Sequence, residues 1–203
     1  MKHTMKRTMS FLAALALMLA AVCCAAGEGA QTAAGTETAG AAVAWKTAKA
    51  GSEALAAKGA FASLTEIGVK VWVPDELAAD AQAAPVVYAY CSQNEDSLLA
   101  FTVFAEDLPE SVPAGDAGAL YTYISNGVAD TNSAEAVVIN SIPCVRYTIG
   151  LRTQDGVTLF GPDGRIVTFV FDGRTETESE DNEMIRLMAA SIMPLAMDPD
   201  AAE

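Results

Sequence analysis

Few side chains here are equipped for covalent or acid–base chemistry. The chain has one histidine, His3, and four cysteines, Cys23, Cys24, Cys91 and Cys144. Cys91 and Cys144 lie far apart in the body of the sequence. They form a candidate disulfide, because a bridge across so long a loop stabilises a fold by roughly 4 kcal/mol in the chain-entropy picture. Bridging requires Cα atoms within about 7 Å. The other reading of the pair is two separately buried thiols, the usual fate of dispersed cysteines.

His3 stands among the first residues, so the chain beyond it holds no histidine. Ser–His–Asp and Cys–His catalysis are thereby excluded, as are histidine metal sites. None of the patterns G-x-x-x-x-G-K-[ST], G-x-G-x-x-G or G-x-S-x-G occurs, so no phosphate loop or nucleophile elbow is expected. No catalytic residue, cofactor site or metal site is assigned. Carboxylates remain, and a pair of them can hydrolyse glycosides. Asn94-Glu95-Asp96 and the stretch from Glu176 to Glu183 are acidic enough to attract calcium but lack its loop motif, and read as solvated acidic faces. Trp72, Tyr88, Tyr90 and Tyr123 can line a face for a sugar or peptide. Such aromatics also serve as core or half-buried sheet residues.

The start of the chain sets the compartment. Lys2, Lys6 and Arg7 precede a continuous apolar run from Phe11 to Val22, and Cys23-Cys24-Ala25-Ala26-Gly27 are small. A basic start, a short apolar run and small residues make a secretory signal, residues 1–26. A membrane span needs roughly 20 apolar residues, more than this run supplies. A cysteine directly after such a run resembles the lipobox of bacterial lipoproteins, which makes Cys24 or Cys23 a candidate lipid anchor. Ordinary cleavage after Ala26 satisfies the small-residue rule equally. Residues 27–52, beginning with Ala, Gly, Thr and Glu and almost no large side chain, read as a flexible tether.

The full chain carries a net charge of −14. Removing residues 1–23 takes Lys2, Lys6 and Arg7 from the 12 Lys and Arg and no acid, leaving nine against 26 Asp and Glu, a net charge of −17. Phosphate binding needs a basic face, so nucleic acid is excluded as a partner. Direct docking on anionic lipid is excluded on the same ground, leaving membrane association only through an N-terminal lipid. So acidic a chain also disfavours the approach of anionic substrates.

The elements that must position these residues come from residues 53–197, the length of one domain, with 198–203 as an acidic tail. Thr47 to Gly59 suggests a short helix. Phe61 to Ile67 reads as a strand, and Val69, Val71 and Val73 alternate with Lys70 and Trp72 as a second. Residues 75–85 read as a connection. Val86 to Cys91 and Leu98 to Phe104 form a hairpin. Asp116 is a good N-cap for a helix carrying Ala117, Leu120, Ile124 and Val128, although Tyr121-Thr122-Tyr123 before Asn-Gly also suits a hairpin. Glu135 to Ile139 and Ile142 to Leu151 are strands about Asn140-Ser141, with Val145, Tyr147, Ile149 and Leu151 on one apolar face opposite Cys144, Arg146 and Thr148. Val157 to Phe160 and Arg165 to Phe171 flank the turn Gly161-Pro162-Asp163-Gly164. Thr177 and Glu180 have capping-box spacing before a helical stripe of Met184, Leu187, Met188 and Ile192, which Pro194 ends. The fold expected is α+β: an antiparallel sheet of about six to eight strands with two or three packed helices.

Three runs carry a family likeness: Ile124-Ser125-Asn126-Gly127, Val137 through Tyr147, and Asp163 through Phe169, followed by Ser191-Ile192. Together they resemble the PsbP/Mog-like superfamily over roughly Phe61 to Leu195. Val71-Trp72-Val73-Pro74 occupies the place of that family's aromatic-Pro strand end, while the Trp that often follows is replaced by Leu77 nearby. The resemblance implies an antiparallel sheet flanked by helices and a role in binding or assembly, with no catalytic motif to carry over. The function expected is therefore an exported, non-enzymatic binding module for a protein or glycan partner, with Trp72, Tyr88 and Tyr90 as its surface. The alternative is a carboxylate-dependent extracellular hydrolase.

Overall fold

The computed structural model describes residues 42–43, 45, 58–80, 85–175 and 179–201. The expected secretory signal, Cys23 and Cys24, residues 47–57 of the helix expected over Thr47 to Gly59 and the expected cap residue Thr177 lie outside them, while Gly59 opens a strand instead. Every described residue belongs to one compact unit, Thr38–Glu203.

Alternating apolar residues build the large sheet. Its strands are β1 (Ala42–Val43), β4 (Leu77–Ala79), β5 (Val86–Ser92), β6 (Ala100–Glu106), β7 (Glu135–Ile139), β8 (Ile142–Ile149), β9 (Gln154–Phe160) and β10 (Ile166–Asp172). Their order is β1-β7-β8-β9-β10-β6-β5-β4. Every neighbouring pair is antiparallel except the short β1, which runs parallel to β7. A second, three-stranded sheet follows the order β11-β3-β2, from β2 (Gly59–Leu64), β3 (Val69–Pro74) and β11 (Met193–Pro194). The class is α+β as expected. The second sheet was not foreseen, because its edge β11 is two residues long and follows a helix.

Two α-helices are described. Helix α1 (Ala117–Gly127) begins where the Asp116 side chain accepts a hydrogen bond from the Ala119 amide, and it buries Leu120 and Ile124. The helical reading of this stretch thus holds over the hairpin. Helix α2 (Glu180–Ala190) is capped by Ser179, which accepts from the Asn182 amide, and it buries Met184, Ile185, Leu187 and Met188. Acids in its first turn complement the helix dipole.

The two faces of the large sheet are covered differently. On one, Phe101, Val103, Val157, Leu159, Phe169 and Phe171 join the apolar side chains of α2 and the small sheet in one core. On the other, α1 lies against β7 and β8, and Val145, Tyr147 and Ile149 are buried there. Tyr147 crosses β9 at Gly156, where a Cβ would stand 2.5 Å from its ring; glycine is what lets the ring lie flat on the sheet.

Several expectations change. The strand from Phe61 ends at Leu64, and Thr65–Ile67 form a 3-10 turn closed by Gly68 at φ 68°. The connection over 75–85 contains β4. Leu151 leaves its apolar face: it is 87% exposed at the β8–β9 turn, with φ 61°. Three residues of the stretch expected to be a tether, 27–52, are engaged by the fold. Ala42–Val43 pair with β7, and Trp45 is buried, edge-on to Phe61 and beside Trp72. A single tryptophan in an Ala-rich stretch has no periodicity to announce it, yet it removes a large apolar surface from water.

Asn140 fastens these layers. Its side-chain carbonyl accepts from the Trp45 amide at 2.9 Å, and its Nδ2 donates to the carbonyls of Ala190 and Ile192 at 2.9 and 3.0 Å. Its φ of 44° lies in the left-handed region, which asparagine tolerates better than most residues.

Candidate functional site

The aromatic surface expected from the sequence is not assembled. Trp72 is buried, because β3 is the middle strand of the small sheet and Trp45 packs against its ring. Its amide donates to Ser191 Oγ at 2.8 Å, tying β3 to the end of α2. Tyr88 and Tyr90 are half-buried against the core. Tyr90 stacks on Phe101 with ring centroids 4.8 Å apart, and the Tyr88 hydroxyl accepts from the Glu66 amide at 3.2 Å. Tyr123 is half-buried on α1; burial and then the Glu106 carboxylate raise its hydroxyl pKa. Trp72, Tyr88 and Tyr90 thus belong to the core packing.

The disulfide is ruled out by topology. Cys91 lies on β5 and Cys144 on β8, with β6, β10 and β9 between them. Four strand spacings separate them by about 19 Å, far beyond a disulfide's reach. Cys144 is buried in the core, and its thiol donates to the Ile142 carbonyl. Burial pushes that thiol up to about 12, which keeps it protonated and inert.

A polar cleft of about 210 Å³ lies instead at the β8–β9 end of the large sheet. Strand register builds it. Glu135 on β7 stands opposite Arg146 on β8, and Thr148 on β8 stands opposite Asp155 on β9. By the two-residue period of strands, all four share the face that carries Val137, Cys144 and Val157. Arg174, just beyond β10, Arg152, in the turn between β8 and β9, and Asn132, Ser133 and Tyr147 also line it.

Ion pairs order the cleft. Arg174 Nη1 is 2.6 Å from Asp155 Oδ1, with Asp155 the better buried partner. Arg146 Nη2 is 3.3 Å from Glu135 Oε2, and both are well exposed. Below them, Thr148 exchanges backbone hydrogen bonds with the Ser133 hydroxyl, while its own Oγ1 is buried with no hydrogen-bond partner among the described residues.

The turn that carries Arg152 is unusual. Gly150, Leu151 and Arg152 all have positive φ, at 65°, 61° and 68°. That conformation suits glycine and costs an L side chain about 1 kcal/mol or more. Asp130 holds it: its carboxylate accepts from the Leu151 amide at 3.3 Å and the Arg152 amide at 2.7 Å.

On the opposite face of the same end, Gln154 donates to Asp172 at 2.7 Å. Burial pushes the Asp172 carboxyl up to about 6, and the Gln154 hydrogen bond pulls part of the way back. Tyr147, Thr158 and Thr168 form a hydroxyl chain nearby, at 2.9 and 3.0 Å. Among the described residues, no three His, Cys, Asp or Glu side chains gather as a metal ion would require.

Sequence reasoning missed the cleft. In sequence Arg146 and Thr148 form only the polar side of a strand, and their partners come from other segments. The only hint was the unusual concentration of arginine between residues 146 and 174 of an acidic chain. No family model matches the chain, and no curated protein matches it either.

Proposed function

We propose that this protein is an exported, non-enzymatic binding module, anchored through Cys24 or Cys23 or released after Ala26, that recognises a protein or glycan partner. The observation carrying this reading is the state of the cleft acids: Asp155 and Glu135 are each engaged by an arginine. With a guanidinium on each, neither carboxylate is left free for a substrate. Such an arrangement suits recognition, where fixed guanidinium groups set orientation. The resemblance to the PsbP/Mog-like superfamily belongs to the same proposal and agrees with a binding or assembly role.

The competing hydrolase would use Glu135 and Asp155, the two acids that the cleft brings together. A screen of the purified exported product against glycosides and peptides separates the readings. Binding without turnover is expected. Turnover abolished by Glu135→Gln or Asp155→Asn would overturn the proposal. Intact-mass measurement of the exported product tests its first part: loss of at least residues 1–22 is expected, and a diacylglycerol adduct on Cys23 or Cys24 identifies the anchor. A product retaining Met1 to Val22 rejects export by a cleaved signal.

A further inference from the structure

We propose that the end of the large sheet where β8 turns into β9 lies against the bilayer that carries the N-terminal lipid, with Leu151 and Leu98 entering a zwitterionic headgroup layer. This deepens the anchored form of the binding-module reading and rests on it.

Strand register gathers the observations at one end. Ile149, Gln154, Asp172 and Ala100 stand in one row across β8, β9, β10 and β6. Leu151 follows that row by two residues and Leu98 precedes it by two. They are 87% and 65% exposed, the most exposed large apolar side chains among the described residues. Three strand spacings, about 14 Å, separate the strands that lead to them. The chain also enters the fold from this end. Glu135 opens β7 opposite Arg146, close to the same row. β1 runs parallel to β7, with Ala42 opposite Val138 and Val43 opposite Ile139, so the N-terminal side of β1 faces that end. A lipid on Cys23 or Cys24 pulls on the domain there.

Both leucines are held out by their surroundings. Leu151 and its neighbour Arg152 have φ of 61° and 68°, a conformation that costs a leucine about 1 kcal/mol. The Asp130 carboxylate accepts from both of their amides, at 3.3 and 2.7 Å, and backbone strain fixed in this way clusters at functional surfaces. Leu98 precedes Leu99, which is buried and whose amide donates to Ser97 Oγ at 3.1 Å. Gly173 passes so close that a Cβ on it would stand 3.0 Å from the Leu99 Cα.

Charge permits the contact and selects the lipid. Asp130, Glu135 and Asp155 balance Arg146, Arg152 and Arg174, so the β8–β9 side of this end carries none of the chain's acidic excess. Glu95 and Asp96 shortly precede Leu98, which favours a zwitterionic over an anionic surface. Two leucines bind lipid weakly by themselves. A tether to the same bilayer raises their effective concentration to roughly millimolar, which makes weak docking count.

The test places the exported, lipid-bearing chain in phosphatidylcholine nanodiscs doped with a lipid whose headgroup chelates gadolinium, and follows amide resonances. Signals of Leu98, Leu99, Gly150, Leu151 and Arg152 should be lost. Those of Ser141 and Gly164, in the β7–β8 and β9–β10 turns at the opposite end, should keep their intensity. Leu98→Ser combined with Leu151→Ser alters only exposed positions and should restore the lost signals. Equal losses at both ends, losses confined to Ser141 and Gly164, or a double variant that behaves like the parent would overturn the proposal and leave the anchored binding module standing. An exported product without lipid on Cys23 or Cys24 would overturn it as well and leave a released module. Turnover of a glycoside or peptide by a chain that docks as described would uphold the docking and defeat the non-enzymatic reading.

Discussion

Strands β8 and β9 each pass through two environments on a single face. At one end Cys144 stands opposite Leu159, both closed off from water by α2 and the small sheet. Two and four residues further along β8, Arg146 and Thr148 look out from the same face, across from Glu135 and Asp155. The pleat, the register and the strand are common to both halves. Only the cover differs: the apolar side chains of α2 and the small sheet stop short of the turn. Strand alternation chooses a face, and whether that face becomes core or cleft is decided by elements distant in sequence.

The sharpest challenge to this contrast is a truncation in the dry half. Phe169 is fully buried beside Phe171, and Phe169→Ala should destabilise the fold by about 4 kcal/mol, through lost burial and the cavity left behind. Denaturant unfolding measures it; a loss below about 1 kcal/mol would mean the core is not closed as described.

Next in size is a pH effect at the cleft end. Asp172 keeps its proton up to about pH 6 in the fold, against an ordinary value of 3.8. Between those values the folded chain binds more protons than the unfolded one, so this group's contribution falls as pH rises through about 4 to 6. The loss is at most about 3 kcal/mol. Urea midpoints at pH 4 and pH 7 should show that Asp172→Asn flattens this part of the profile. An unchanged slope would remove Asp172 as its source.

Asn140→Ala tests the clamp that brings Trp45 to the sheet and α2. It strands three backbone groups, each at a cost near 1 kcal/mol, so a loss of about 3 kcal/mol and weakened protection of the Trp45 amide from hydrogen exchange are expected. Full protection in the variant would show that Trp45 is held by packing alone.

The smallest effect belongs to the wet half. Arg146→Ala removes an exposed ion pair with Glu135, worth within about 0.5 kcal/mol. A loss comparable to that of Phe169→Ala would erase the distinction between the two halves.

Much of the fold was legible because it is written locally. The Asp116 cap, the stripe of Met184, Leu187 and Met188, and the turns at Asn140-Ser141 and Gly161–Gly164 each depend on neighbours a few residues away. The cleft was not legible, since Arg152 and Arg174 belong to a turn and a strand exit with no periodicity of their own. Trp45 was missed for the same reason.

The sequence by itself determined the acidic charge, the absence of histidine beyond His3, and the alternating runs that can only be strands. Side-chain period and turn chemistry act over a few residues and need no context. Tertiary structure decided the rest: that Trp72 is buried and not displayed, that Cys91 and Cys144 are too distant to bridge, and that three arginines of an acidic chain meet at one end of a sheet. Those outcomes depend on strand order and on what covers each face, and both are fixed by contacts between residues tens of positions apart.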